Sequence, residues 1–177
     1  HVAALGKPVI VSTGGATLAD VDRAVAVILA LNTQLCLLQC TAAYPVEVDE
    51  LHLGVITTYR ERYPEVVVGL SDHQDGIAMS VVAHMLGARV IEKHFTLSHS
   101  WKGTDHAFSL MPEGMRKLVR DLARIPDAIG DGVKRPLPSE TRPLQKMAKQ
   151  LVAARALPAG HVVTAGDLVA KSPFEGG

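Results

Sequence analysis

Residues 66–94 read VVVGLSDHQDGIAMSVVAHMLGARVIEKH, and this stretch decides the fold class. It opens on an apolar run, Val66 to Leu70, and breaks at the polar Ser71-Asp72-His73. A helical pattern follows from about Gly76 to Leu86, and a second short run, Arg89 to Lys93, closes the unit. The first run is continuously apolar instead of alternating, as a strand covered on both faces requires. Strand, helix and strand in one short span imply parallel pairing, with the helix laid over the sheet.

The unit recurs along the chain. Upstream, Pro8-Val9-Ile10-Val11 leads into Ser12-Thr13-Gly14-Gly15. Thr17 then caps a helix, with Asp20 three positions on and Leu18, Val21, Val25 and Ile28 as its apolar stripe. Leu35 to Cys40 is the next strand, followed by Thr41-Ala42-Ala43-Tyr44-Pro45 and a helix expected from about Asp49 to Arg62. Beyond Lys93 a long loop precedes a helix carrying Met115, Leu118, Val119, Leu122 and Ile125. Two α/β architectures compete, a doubly wound open sheet and a (β/α)8 TIM barrel. Polar residues follow every strand, as on the active face of a barrel, whereas a doubly wound sheet concentrates them at one switch point. The barrel is therefore expected. Four strands cannot close one, so the chain is expected to supply about half of it.

Composition excludes several functions. Of 177 residues 47% are apolar and only 4% aromatic, so the core must be aliphatic. The formal net charge is zero, which gives no electrostatic reason to expect nucleic acid or an anionic membrane as partner. No apolar run is long enough to span a bilayer. Cys36 and Cys40 on one strand would stand roughly 13 Å apart, beyond the ~7 Å reach of a disulfide. A reduced, cytoplasmic setting is expected, although the chain begins at His1 and not at Met. Three segments are expected: residues 1–130 as the repeating α/β part, 131–145 as a linker rich in Pro, Gly and charge, and 146–177 as the opening of a small β-rich domain. The tail ends in Pro173-Phe174-Glu175-Gly176-Gly177.

Alternate residues of a strand share a face, so Ser71 and His73 point one way, and Glu92 and His94 do the same on the next strand. Lys93 and Asp72 turn the other way. Adjacent parallel strands then bring His73 and His94 to one rim. Two neutral imidazoles with open positions make a divalent metal site, completed by water or substrate oxygens. As a bare pattern, two histidines at this separation are weak evidence, and polar rim residues without a metal are the commoner reading. Ser12-Thr13-Gly14-Gly15, before a helix N-terminus, suits a phosphate or carboxylate, or is a plain turn with its cap. Tyr44-Pro45 either walls a pocket or staples a loop. Asp105 and His106 after Gly103 suit hydroxyl recognition or ordinary loop structure. His52, His84 and His161 read as structural.

Taken together, five motifs resemble the sialic acid synthase family in order and spacing. They are Val11-Ser12-Thr13-Gly14, Cys40-Thr41-Ala42-Ala43-Tyr44-Pro45, Gly69-Leu70-Ser71-Asp72-His73, Ile91-Glu92-Lys93-His94-Phe95 and Lys102-Gly103-Thr104-Asp105-His106. The resemblance runs from about Lys7 to Lys171. It implies the last four units of a TIM barrel and the start of an antifreeze-like (SAF) domain. It further implies condensation of phosphoenolpyruvate with the aldehyde of an N-acetylmannosamine-type sugar, giving a nine-carbon 2-keto acid and phosphate. Position by position, His73 and His94 would hold Mn²⁺ or Mg²⁺ and act in catalysis. Ser12 and Ser71 would bind phosphoenolpyruvate oxygens, and Tyr44 and Asp105 the amino sugar. A domain-swapped homodimer is implied too.

Several departures bear on the acceptor. Ala42 stands where some members have Asn, and Gln39 where some have His. Leu38-Gln39-Cys40-Thr41 with Trp101-Lys102-Gly103 looks closer to animal-type members, with Lys102 as a contact to a phosphorylated sugar. Ser172-Pro173-Phe174 replaces an Arg-Pro-Gly stretch. The alternatives are the same chemistry on a legionaminic, pseudaminic or spore-coat sugar, a non-catalytic carbohydrate-binding barrel, and a metal-dependent hydrolase. The family's catalytic glutamate and phosphate-gripping lysines lie on strands this chain lacks, so the chain alone is expected to be inactive.

Overall fold

Thr17 starts the helical layer as its sequence demands. In the computed structural model, which describes residues 1–173, its hydroxyl accepts from the Asp20 amide at 3.3 Å and its own amide donates to Asp20 Oδ2 at 2.9 Å. This reciprocal box satisfies two N–H groups at the helix start that have no intrahelical partner. Phe174 and the rest of the tail, on which part of the Ser172-Pro173-Phe174 departure falls, lie outside the described residues. The chain forms two compact units, divided after Ile129.

The first unit contains β1 (Val9–Ser12), α1 (Leu18–Leu29), β2 (Leu35–Cys40), α2 (Gly54–Arg62), β3 (Val67–Asp72), α3 (Ala78–Met85), β4 (Val90–Lys93) and α4 (Pro112–Ile129). The four strands are parallel and lie in chain order, β1-β2-β3-β4. They make a curled α/β sheet, a half-barrel. One face of the sheet carries Leu35, Leu37, Val68 and Leu70, which pack with Val21, Val25, Ile56, Tyr59 and Ala83 from the helices. Each such side chain, fully buried, contributes on the order of 1.5–3 kcal/mol, so this layer is where the unit is held together. The register Ser12↔Leu38↔Gly69↔Val90 puts these residues on the opposite, inner face. That face is only partly covered: Ile10 is 58% exposed and Val67 47%.

Two elements differ from expectation. The helix expected from Asp49 begins at Gly54, after a 3-10 turn at Val48–Glu50 and a left-handed His52 (φ 45°). The cause is local. Thr41 Oγ1 donates to the Glu50 carbonyl at 2.8 Å and Gln39 Nε2 to the Leu51 carbonyl at 3.2 Å, so both carbonyls serve the end of β2. Strand β3 runs on to Asp72, because the ladder with β4 extends to the pair Asp72↔Lys93.

The second unit begins at Gly130, and part of the stretch expected as a linker, residues 131–145, has local structure. A 3-10 turn at Pro138–Glu140 passes into α5 (Thr141–Met147), pinned by Glu140 accepting from the Leu137 amide at 2.6 Å. Then β5 (Gln150–Ala153) pairs antiparallel with β6 (Leu168–Lys171). Asp167 organises the turn between them. It accepts from the Thr164 amide (3.0 Å), the Thr164 hydroxyl (2.8 Å) and Arg155 (2.5 Å), and its other close partner is His161 Nε2 at 2.8 Å. The bond to His161 is foremost in holding its carboxyl below the usual range, followed by those to Thr164. No helix among the described residues is long and apolar enough to cross a membrane.

Candidate active site

Asp72↔Lys93 is the last rung of the β3–β4 ladder, and His73 and His94 are the next residue on each strand. Both rings fall on one side, with centroids 5.1 Å apart and planes at 85°. His73 Nδ1 lies 3.0 Å from the Thr41 carbonyl oxygen. A carbonyl can only accept, so Nδ1 carries the proton and the Nε2 lone pair is free to act as donor to an electrophile. Backbone bonds seat both histidines: Val46 N donates to the His73 carbonyl at 3.3 Å, and Leu110 N to the His94 carbonyl at 2.8 Å.

The long loop after β4 completes the cluster by returning beside its own strand. Thr96 N donates to the Leu110 carbonyl at 2.9 Å, and Phe95 and Leu110 form an isolated parallel bridge. This return brings Asp105 Oδ2 to 3.6 Å from His94 Nδ1 and the buried Phe108 ring to 5.2 Å from the His94 ring. Thr104 Oγ1 donates to the other Asp105 oxygen at 2.7 Å, and Ser109 Oγ to the Asp105 carbonyl at 2.6 Å. Tyr44 stands beside them: its ring centroid is 4.3 Å from His73, 5.8 Å from His94 and 6.3 Å from Phe108.

Ser71 lies on the same inner face one alternate position below His73, and its hydroxyl donates to Glu92 Oε1 at 2.6 Å. Asp72 turns to the helix side, as the alternation predicts, and its Oδ2 accepts from Ser80 of α3 at 2.7 Å. Ser12 is exposed on the inner face of β1, two strands from β3 and level with Gly69, so it lies lower on that face than Ser71. It shares the rim and not the cluster. Its neighbour Thr13 has a structural task, donating to the Leu38 carbonyl at 2.9 Å and accepting from the Tyr59 hydroxyl at 3.2 Å. Gly14 is a matter of space: a Cβ there would meet Ala42 Cβ and Cys40 Sγ, both at 3.0 Å. A separate cavity of about 600 Å³, lined among others by Thr13, Gln39, Thr41, His52 and Thr58, shares none of the clustered side chains.

Among the described residues no group of three or more His, Cys, Asp and Glu side chains forms a metal cluster. The His73–His94 pair provides two nitrogen donors, leaving other coordination positions to water or ligand oxygens. With the His73 tautomer set by Thr41, that donor set fits a divalent cation, the backbone carbonyl acting as the outer partner that orients a ligating imidazole. Sequence reasoning missed three participants: Phe108, the Thr41 carbonyl, and the bond between Glu92 and Ser71.

A family model described as the NeuB family matches residues 1–134. The chain is 38% identical over 166 residues to N-acetylneuraminate-9-phosphate synthase of Mus musculus, covering 94% of this chain and 46% of that one. It is 36% identical over 178 residues to N,N'-diacetyllegionaminic acid synthase of Campylobacter jejuni, covering 99% and 53%. A solved structure of N-acetylneuraminic acid synthetase from Leptospira borgpetersenii, in complex with citrate, matches with a TM-score of 0.70 at 33% identity, over 81% of this chain and 50% of that one. The chain spans about half the length of the curated relatives it matches. A match over residues 1–134, with relatives on both the sequence and the structural side, places the chain by descent as well as by shape: it belongs to the NeuB family.

Proposed function

We propose that the full-length protein condenses phosphoenolpyruvate with the open-chain aldehyde of an N-acetylmannosamine-type sugar, releasing phosphate and a nine-carbon 2-keto acid. The observation that carries this reading is the convergence of His73 and His94, 5.1 Å apart, at the strand ends of a NeuB-family sheet. C3 of phosphoenolpyruvate bonds to the aldehyde carbon, water adds at C2, and the C2–oxygen bond to phosphate breaks. His73 and His94 would hold a divalent cation, Mn²⁺ or Mg²⁺, which when bound would supply Lewis-acid polarisation of the aldehyde.

The chain's own residues bind and orient. Ser71, whose hydroxyl donates to Glu92, re-aims that proton at a phosphoenolpyruvate oxygen, and Ser12 meets the same substrate further along the rim. Tyr44 and Phe108 wall the acceptor side, and Asp105 accepts from sugar hydroxyls with the oxygen that Thr104 leaves free. The second unit, with its antiparallel β5–β6 pair, is read as the start of a SAF domain. A second reading keeps the reaction and changes the acceptor to a legionaminic-type sugar. It is supported by 36% identity to a legionaminic acid synthase over 99% of the chain.

In the full-length protein, His73→Ala and His94→Ala are each expected to lower metal-dependent phosphate release from phosphoenolpyruvate plus sugar by at least ~100-fold. Turnover equal to the parent's would remove the two histidines from the reaction. A panel of hexosamine acceptors distinguishes the sugars, and N-acetylmannosamine as the poorest acceptor would favour the second reading.

A further inference from the structure

Behind the two histidines, on the helix side of the sheet, lies a buried ion pair. Lys93 Nζ stands 3.2 Å from Asp72 Oδ2, with side-chain exposures of 2% and 1%. The placement is specific. Asp72 immediately precedes His73, Lys93 immediately precedes His94, and the two are register partners on the last rung. Lys93 also donates to the carbonyl of Gln74, the residue after His73. Asp72 Oδ1 in turn accepts from the Gln74 amide at 2.9 Å, and Oδ2 accepts from Ser80 at 2.7 Å. His73 is therefore gripped on both flanks by one side chain, and that side chain belongs to the strand that carries His94.

Two charges this deeply buried are poor stabilisers of a fold, since a well-packed apolar pair would serve as well or better. What such a pair does well is fix one arrangement. Past the last rung the ladder no longer sets the distance between the strands, and the ion pair is the next constraint available. We propose that Asp72 and Lys93 are positioning residues that hold the His73 and His94 rings at the separation and orientation needed to share one divalent cation. The inference rests on the metal reading of the preceding subsection and adds to it what sets that site's affinity.

The test uses the full-length protein, with Mn²⁺ binding followed by electron paramagnetic resonance and the histidine rings by ¹H–¹³C NMR without metal. Lys93→Met keeps the aliphatic stem and is expected to raise the Mn²⁺ dissociation constant at least tenfold. Asp72→Asn with Lys93→Met leaves no lone buried charge. It is expected to recover much of the melting temperature lost in the single variant and none of the Mn²⁺ affinity; it also carries the test if the single variant does not fold. Ile56→Val, in the helix-side core, serves as control: it lowers the melting temperature while the dissociation constant stays within twofold.

The His73 and His94 ring resonances are expected to move in the Lys93 variants and to stay in place in Ile56→Val. Affinity within twofold of the parent in the double variant, or unmoved rings, overturns the positioning role and leaves the metal reading standing. Affinity unchanged in His73→Ala overturns the metal reading instead. If the parent binds no Mn²⁺, that reading falls as well, and the ring resonances decide the positioning role.

Discussion

Gly69 shows how tightly β3 and β4 are set against each other. A Cβ at this position would lie 2.3 Å from the Val90 carbonyl oxygen and 2.5 Å from Leu38 Cδ2. Val90 is its register partner, so the oxygen cannot withdraw without parting the strands just before the rungs that lead to His73 and His94. Gly69→Ala is expected to cost about 2–4 kcal/mol, read by urea denaturation, and a loss below about 1 kcal/mol would show that the sheet yields there. The residues of the site were legible to different degrees for comparable reasons of geometry. Strand alternation alone places Ser71, His73, Glu92 and His94 on one face, and the structure brings all four together there. Phe108 was not legible, because it sits in an aperiodic loop whose return beside β4 depends on backbone bonds at Thr96 and Leu110. The Thr41 carbonyl was not legible either, since every residue carries one and only the fold selects which faces His73.

Between elements, α1 and α2 are tied by a surface cluster that the helical stripes do not announce. Arg62 presents its guanidinium fork to Asp22, Nε to Oδ1 at 2.5 Å and Nη2 to Oδ2 at 2.7 Å, and the Tyr63 hydroxyl donates to Oδ1 at 2.5 Å. The Arg62 bonds first, and the Tyr63 bond second, lower the Asp22 carboxyl from its ordinary 3.8 to about 2. A carboxyl depressed in the folded state stabilises it fully above the unfolded value, and loses that contribution as pH falls through the folded one. The tie between the helices is therefore expected to persist at pH 4 and to fade between about 4 and 2. Arg62→Met should move the Asp22 midpoint, followed by carboxyl ¹³C NMR, upward toward 3.8; a midpoint still near 2 would assign the shift to another cause. Periodicity located every strand and helix of the first unit. The start of α2 escaped it because the competing acceptors, the Glu50 and Leu51 carbonyls, are claimed by Thr41 and Gln39 of a different segment.

The strand order of the whole sheet bears on what the chain can do alone. It runs β1-β2-β3-β4 without reversal, so it has no switch point of the kind where a doubly wound sheet gathers its ligand, and the work falls to the rim of successive strand ends. Along that rim the inward-facing residues of β1 to β4, from Ile10 and Ser12 through Leu38 and Ser71 to Val90 and Glu92, include no lysine or arginine. Lys93, the one basic residue in the four strands, is turned to the helix side and committed to Asp72. A phosphoryl group carries about −1.5 to −2 charges near neutral pH and is held by charge-assisted donors, which this face does not present. The 177-residue chain, once shown to be folded by its amide dispersion, is accordingly expected to bind Mn²⁺ through His73 and His94. It should nevertheless bind phosphoenolpyruvate more weakly than about 1 mM, a standard free energy weaker than about −4 kcal/mol by titration calorimetry, and release no phosphate in the presence of sugar. Turnover by the chain alone would mean that hydroxyls and backbone amides suffice to hold the enol phosphate, and that cationic groups beyond this half-barrel are not required for the chemistry.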